Sequence, residues 1–144
     1  MYKELISNMN QGNKWVKIQP PCSENDIDNA EKEVGYTFPQ ELRALLRELN
    51  GDRFLLLSVA EIVAQAKLNR KIQEEYNDED FAIDLKRLLF FAGNGCGDHY
   101  CYRANANGKI DESTIYIWEH EKYCCNKVAS SIAELINKYY HDEI

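Results

Sequence analysis

Long apolar runs are missing from this chain: nowhere do about 18 consecutive residues stay hydrophobic, which excludes a membrane-spanning helix. Positive charge is also scarce, with 17 Lys and Arg against 24 Asp and Glu and a formal net charge of −7. Neutralising phosphates with Lys and Arg drives non-specific nucleic-acid binding, so direct binding of nucleic acid is not expected. The opening segment, MYKELISNMNQGNKW, has polar residues where a secretory signal needs an apolar stretch, and a cytoplasmic location is expected. No internal repeat and no low-complexity linker interrupts the 144 residues, so one domain over residues 1–144 is expected.

The five cysteines, Cys22, Cys96, Cys101, Cys124 and Cys125, are odd in number and irregular in spacing, and two are adjacent. Free thiols in a reducing compartment fit this pattern better than a disulfide framework.

The periodicities divide the chain into helices first and strands later. Tyr2, Leu5, Ile6 and Met9 mark a short helical stripe over residues 2–9. Residues 15–18 read as a short edge strand, stopped by Pro20-Pro21. Ser23 reads as an N-cap with acids in the first turns behind it, Ile27, Ala30 and Val34 as the buried stripe, and Gly35 as the stop. Pro39 opens the next helix near its first position, Leu42, Leu45, Leu46 and Leu49 face the core, and Asn50-Gly51 ends it. Ser58 caps a helix from Val59 towards Tyr76. Residues 88–92 (LLFFA) read as a buried strand, residues 99–104 as a half-buried strand, Asn107-Gly108 as a hairpin turn and residues 114–118 as a third strand. A last helix is expected over residues 128–140. Helices followed by a meander of strands and a closing helix make an α+β domain, with helices against an antiparallel sheet of about four or five strands.

The segment FAGNGCGDHYCY, residues 91–102, gathers Gly93, Gly95 and Gly97 with Cys96, Asp98, His99 and Cys101. A Walker loop needs Lys and then Ser or Thr where Asp98 and His99 stand. A dinucleotide fingerprint needs a helix where a strand follows. Cys96, Asp98, His99 and Cys101 are metal-ligand types, but Cys124-Cys125 is not a usual second zinc knuckle. No cysteine or histidine pattern identifies a nucleophile with its base and orienter, and no catalytic residue, cofactor or metal is expected. The glycines are therefore expected to serve the backbone of a tight strand connection, with the Asp98 side chain capping it.

The helical pair DIDNAEKEVGYTFPQELRALLRELNG (26–51), the corner GNGCGDHYCY (93–102), the strand IYIWEHE (115–121) and VASSIAELI (128–136) together resemble the SUKH superfamily, typified by yeast cell-wall-synthesis regulators of the Smi/Knr type. The resemblance implies a non-enzymatic α+β binding domain. It further implies Glu33, Pro39, Gly51, Gly97 and Trp118 as family markers. For a bacterial chain the resemblance implies, as for most bacterial members, an immunity protein that neutralises nuclease or other toxins, while other members act as interaction modules in regulation. The cysteines in and after the corner depart from the family pattern.

A basic toxin nuclease is a natural target for an acidic inhibitor that mimics phosphate. Residues 72–84 hold six acids and no base. The candidate partner-binding residues are accordingly Glu74, Glu75, Asp78, Glu79, Asp80 and Asp84, with Asp98 and Glu119 secondary. The expected partner is a basic protein toxin, with no membrane and no nucleic acid involved. Neither a monomer nor a weak dimer is singled out. A general interaction or regulatory module is the alternative reading, and a metal- or thiol-dependent enzyme centred on Cys96, His99 and Cys101 is the third.

Overall fold

In the structure, a computed structural model that describes residues 1–75 and 84–144, the chain runs as four helices, a four-stranded antiparallel sheet and a closing helix. The helices are α1 (Tyr2–Met9), α2 (Glu24–Val34), α3 (Gln40–Glu48), α4 (Val59–Glu75) and α5 (Ile132–Tyr140). The strands β1 (Leu88–Gly93), β2 (His99–Arg103), β3 (Ile115–Glu119) and β4 (Cys124–Ala129) lie in the order β1-β2-β3-β4. The α+β expectation holds. Among the described residues no helix is long and apolar enough to cross a membrane.

Local chemistry sets most boundaries. Ser23 Oγ accepts the Asp26 N–H at 3.1 Å and starts α2, and Gly35, at φ +90, ends it. Ser58 and Glu61 satisfy each other across the first turn of α4: Oγ of Ser58 accepts the Glu61 N–H, and Glu61 Oε1 accepts the Ser58 N–H. This reciprocal box occupies donors that the helix itself cannot bond.

Alternation in the strands sends Leu89, Phe91, Tyr100, Tyr102 and Ile115 into the main core, where they meet Ile6, Ile27, Leu42, Leu45, Leu46, Leu135 and Ile136 from the helices. The opposite face carries a smaller cluster of Leu85, Leu88, Phe90 and Cys101. Helix α4 serves both clusters, with Ile62 and Val63 in the first and Ile72 against the second.

Two expectations are overturned. Residues 15–18 form no strand. Lys17 and Gln19 instead donate their N–H groups to the carbonyls of Asp52 and Gly51, so this segment lies along the α3–α4 loop rather than beside another strand. The last helix starts at Ile132, not Val128, because β4 occupies Cys124–Ala129. Ser131 decides that boundary by accepting the Glu134 N–H at 3.1 Å. The fourth strand escapes sequence reading because Asn126 and Lys127 are both exposed, which breaks the alternation.

Candidate partner-binding surface

The eight acidic candidates fall on separate parts of the fold. Glu74 and Glu75 sit exposed in the last turn of α4, where carbonyl ends make the local potential negative and carboxylates are unfavourable. That turn holds no basic residue; Lys71, one turn back, forms an exposed i,i+4 ion pair with Glu75 at 4.0 Å. Asp84 caps the 3-10 turn Leu85–Arg87 by accepting the Lys86 N–H at 2.9 Å. Asp78, Glu79 and Asp80 lie outside the described residues.

The secondary candidates are engaged within the chain. Asp98 Oδ1 accepts both the backbone N–H of His120, at 3.1 Å, and its Nδ1, at 2.7 Å, while Oδ2 accepts the Asn94 amide at 3.3 Å. The expected cap on the corner therefore comes from a different residue: Asn94 Oδ1 accepts the Cys96 N–H at 2.9 Å. Asp98 instead ties the β1–β2 corner to the β3–β4 turn. Glu119 accepts from the Cys124 thiol at 3.1 Å and the Asn126 amide at 3.4 Å.

Burial opposes ionisation of Asp98, but the His120 ring, the His120 N–H and the Asn94 amide outweigh it and hold the carboxyl below its ordinary value. A carboxyl lowered on folding stabilises the protein above its unfolded value, and that contribution fades as pH falls through the folded one. Asp98→Asn should therefore cost about 1 kcal/mol near neutrality. The deficit should shrink below about pH 4. Urea unfolding of both proteins across this range checks it; a deficit independent of pH would remove the ionised Asp98 from the account.

The residues expected as family markers each make a specific contact in the fold. A Cβ on Gly97, at φ +99, would lie 2.9 Å from His120 Nδ1, so the glycine lets the imidazole lie against the corner. A Cβ on Gly51, at φ +80, would lie 2.7 Å from the Ser58 backbone nitrogen. Pro39 is the N-cap residue of α3, and its carbonyl accepts the Arg43 N–H. The backbone carbonyl of Glu33 accepts from Arg70 of α4 at 2.6 Å, and its carboxylate lies 3.4 Å from Lys67. Trp118 stands on the sheet face away from the main core, with ring centroids 5.7 Å from Phe90.

Two of the cysteines lie together and the others stand apart. Cys101 and Cys125 lie with sulfurs 4.0 Å apart, whereas Cys96 is exposed on the corner and Cys124 bonds Glu119. Among the described residues no group of three His, Cys, Asp or Glu side chains is placed to hold a metal ion, and no cysteine sulfur bonds a histidine. His99 is stacked on Phe90, and burial holds its imidazole below the ordinary value, towards the neutral form.

Two groups that sequence reasoning passed over matter to this architecture. Arg43 of α3 bonds Glu24, Asp28 and Glu31 of α2, which gives the acid-rich helix an internal purpose. Glu41 accepts the Tyr102 hydroxyl at 2.5 Å and the Ile132 N–H at 3.3 Å, joining α3, β2 and the start of α5. The α2–α3 charges were legible as opposite signs on successive helices; the Glu41 contacts span 61 and 91 residues and left no local signal.

Glu74 and Glu75 thus stand exposed at the end of α4, whereas most of the α2 acids, Asp98 and Glu119 are tied to the fold. No curated protein matches the chain. The family model for SMI1/KNR4 (SUKH-1) matches residues 21–138, which takes in the α2–α3 pair, the whole sheet and most of α5. The chain therefore belongs to the SMI1/KNR4 family, SUKH-1.

Proposed function

We propose that this chain is a cytoplasmic immunity protein that binds and neutralises a basic, nuclease-type protein toxin through an acidic surface at the end of α4. SUKH domains are protein-interaction modules of immunity or regulatory kind, and the family membership supports a binding role. The observation that carries the finer reading is the last turn of α4, where Glu74 and Glu75 are exposed, the turn itself holds no base, and Lys71 one turn back reaches Glu75 alone. Carboxylates at a helix C-terminus are unfavourable for the helix itself, and Glu74, with no ion pair among the described residues, is open to a cation from outside. A toxin that grips phosphate must be basic, and the net charge of −7 steers such a partner towards the chain. Binding blocks the toxin without chemistry, so no catalytic group, cofactor or metal enters the mechanism. A regulatory module would use the same surface on a housekeeping partner.

Affinity capture from the native host, washed at low and then high salt, tests the reading. One stoichiometric partner with a toxin-like C-terminal domain supports it; a diffuse set of housekeeping proteins transfers the weight to regulation. With the partner in hand, Glu74→Gln with Glu75→Gln should slow association about three- to tenfold at low ionic strength, with the difference closing as salt rises. Equal association rates at low salt would exclude this turn from the interface.

A further inference from the structure

A second surface, of opposite charge, lies on the sheet face away from the main core. Antiparallel pairing sets Cys101, Tyr116 and Lys127 in one row across β2, β3 and β4, and His99, Trp118 and Cys125 in the next. Residues directly opposite one another share a face, so Tyr116, Trp118 and Lys127 stand on the same side of the sheet. Arg103 reaches in from β2 and holds its guanidinium 4.9 Å from the centre of the Tyr116 ring. Ile72 of α4 and Leu85 pack against the cluster on this face, on its β1 side. Tyr116, Trp118 and Arg103 are left half-buried and Lys127 exposed.

The charge of this strip is unusual for the chain. Among the described residues, Arg103 and Lys127 pair with no carboxylate, and none of the face positions of β2, β3 and β4 is acidic. By contrast Arg43 and Arg47 are saturated by acids. A half-buried guanidinium gains little from water and has its aromatic support already in place, so a carboxylate arriving there meets a preorganised partner. Tyr, Trp and Arg are also the residues that most often dominate binding energy at protein interfaces.

We propose that this face is a second docking surface, which takes a carboxylate-rich segment of a partner protein across Arg103, Tyr116, Trp118 and Lys127. Its acids would pair with Arg103 and Lys127 while its aliphatic or aromatic groups cover Tyr116 and Trp118. The surface is independent of the acidic end of α4 and its sign requirement is the reverse, so the two readings fail separately.

The test uses a Trp15→Phe background, which leaves Trp118 as the sole tryptophan, and two peptides of equal length that alternate leucine with glutamate or with lysine. Titration of the glutamate peptide should perturb Trp118 fluorescence and its indole N–H resonance saturably, and more weakly as ionic strength rises. Arg103→Gln should weaken this binding about tenfold, and the exposed Lys127→Glu should weaken it in a fold that Arg103 does not touch. Glu74→Gln with Glu75→Gln should leave it unchanged. The proposal is overturned if the glutamate peptide leaves Trp118 unperturbed, if the lysine peptide binds there equally well, or if Lys127→Glu binds as tightly as the parent.

Discussion

Replacing Gly51 with alanine should lower the melting temperature by about 10 °C, corresponding to roughly 3 kcal/mol. Two separate effects add at this position. The backbone is at φ +80, where an L side chain is strained, and the new Cβ would lie 2.7 Å from the Ser58 nitrogen and 3.0 Å from the Leu56 carbonyl oxygen. Both obstacles are backbone, so no rotamer change relieves them.

The surrounding corner gives little slack. Asp52, fully buried, uses Oδ1 to accept the N–H groups of Phe54, Leu55 and Leu56, each at 2.9 Å. Asn50 Oδ1 accepts the Val59 N–H at 2.8 Å. Lys17 and Gln19 donate to the carbonyls of Asp52 and Gly51 from the other side. Gly35→Ala is the internal control. It shares a positive φ, +90, but its Cβ would meet nothing within 4 Å, so only strain of about 1 kcal/mol is expected. Differential scanning calorimetry of both variants separates strain from collision. Equal losses would show that the corner yields to the added methyl group.

Glu41→Ala should be nearly as damaging, at about 2–3 kcal/mol, because it strands a buried hydroxyl as well as removing a bond. Tyr102 is completely buried, and burial followed by the nearby Glu41 carboxylate pushes its hydroxyl well above the ordinary value, so it remains a donor at any physiological pH. Without Glu41 that donor has no acceptor, and the Ile132 N–H at the start of α5 loses one too. Adding Tyr102→Phe to Glu41→Ala removes the stranded hydroxyl. The double variant should accordingly recover part of the loss, a coupling readable by urea unfolding in a double-mutant cycle. Strict additivity of the two losses would mean that the hydroxyl finds water when Glu41 is gone.

The physical range of each interaction decides how much of this was legible in the sequence. Helices α1 to α3 are legible through 3.6-residue stripes and α4 through its Ser58 cap, since Ser23, Gly35 and Ser58 act within three or four residues of their targets. Strands β1 to β3 were visible as apolar or alternating runs. The fourth strand was hidden by Asn126 and Lys127, and the register of Val128 was mistaken for a helical stripe. The short edge strand expected at residues 15–18 failed for a related reason: an extended segment becomes a strand only if another strand accepts it, and here a loop does.

Candidate binding residues divide the same way. Charge counts pointed to the acids at the end of α4, where Glu74 and Glu75 are exposed. The secondary candidates, Asp98 and Glu119, are engaged by pairing within the chain. Nothing local distinguishes a carboxylate that faces solvent from one that meets His120 or Cys124.

By itself, then, the sequence determined the α+β order of elements, the helix caps, the glycine corners and the acidic balance, because these depend on neighbours along the chain and on composition. Only the tertiary structure decided that Asp98 binds the β3–β4 turn, that Glu41 joins α3 to Tyr102 and α5, and that Arg103, Tyr116, Trp118 and Lys127 share one face. Those contacts join residues far apart in sequence, and they exist only once strand register and helix packing have brought distant backbones within hydrogen-bonding or van der Waals reach.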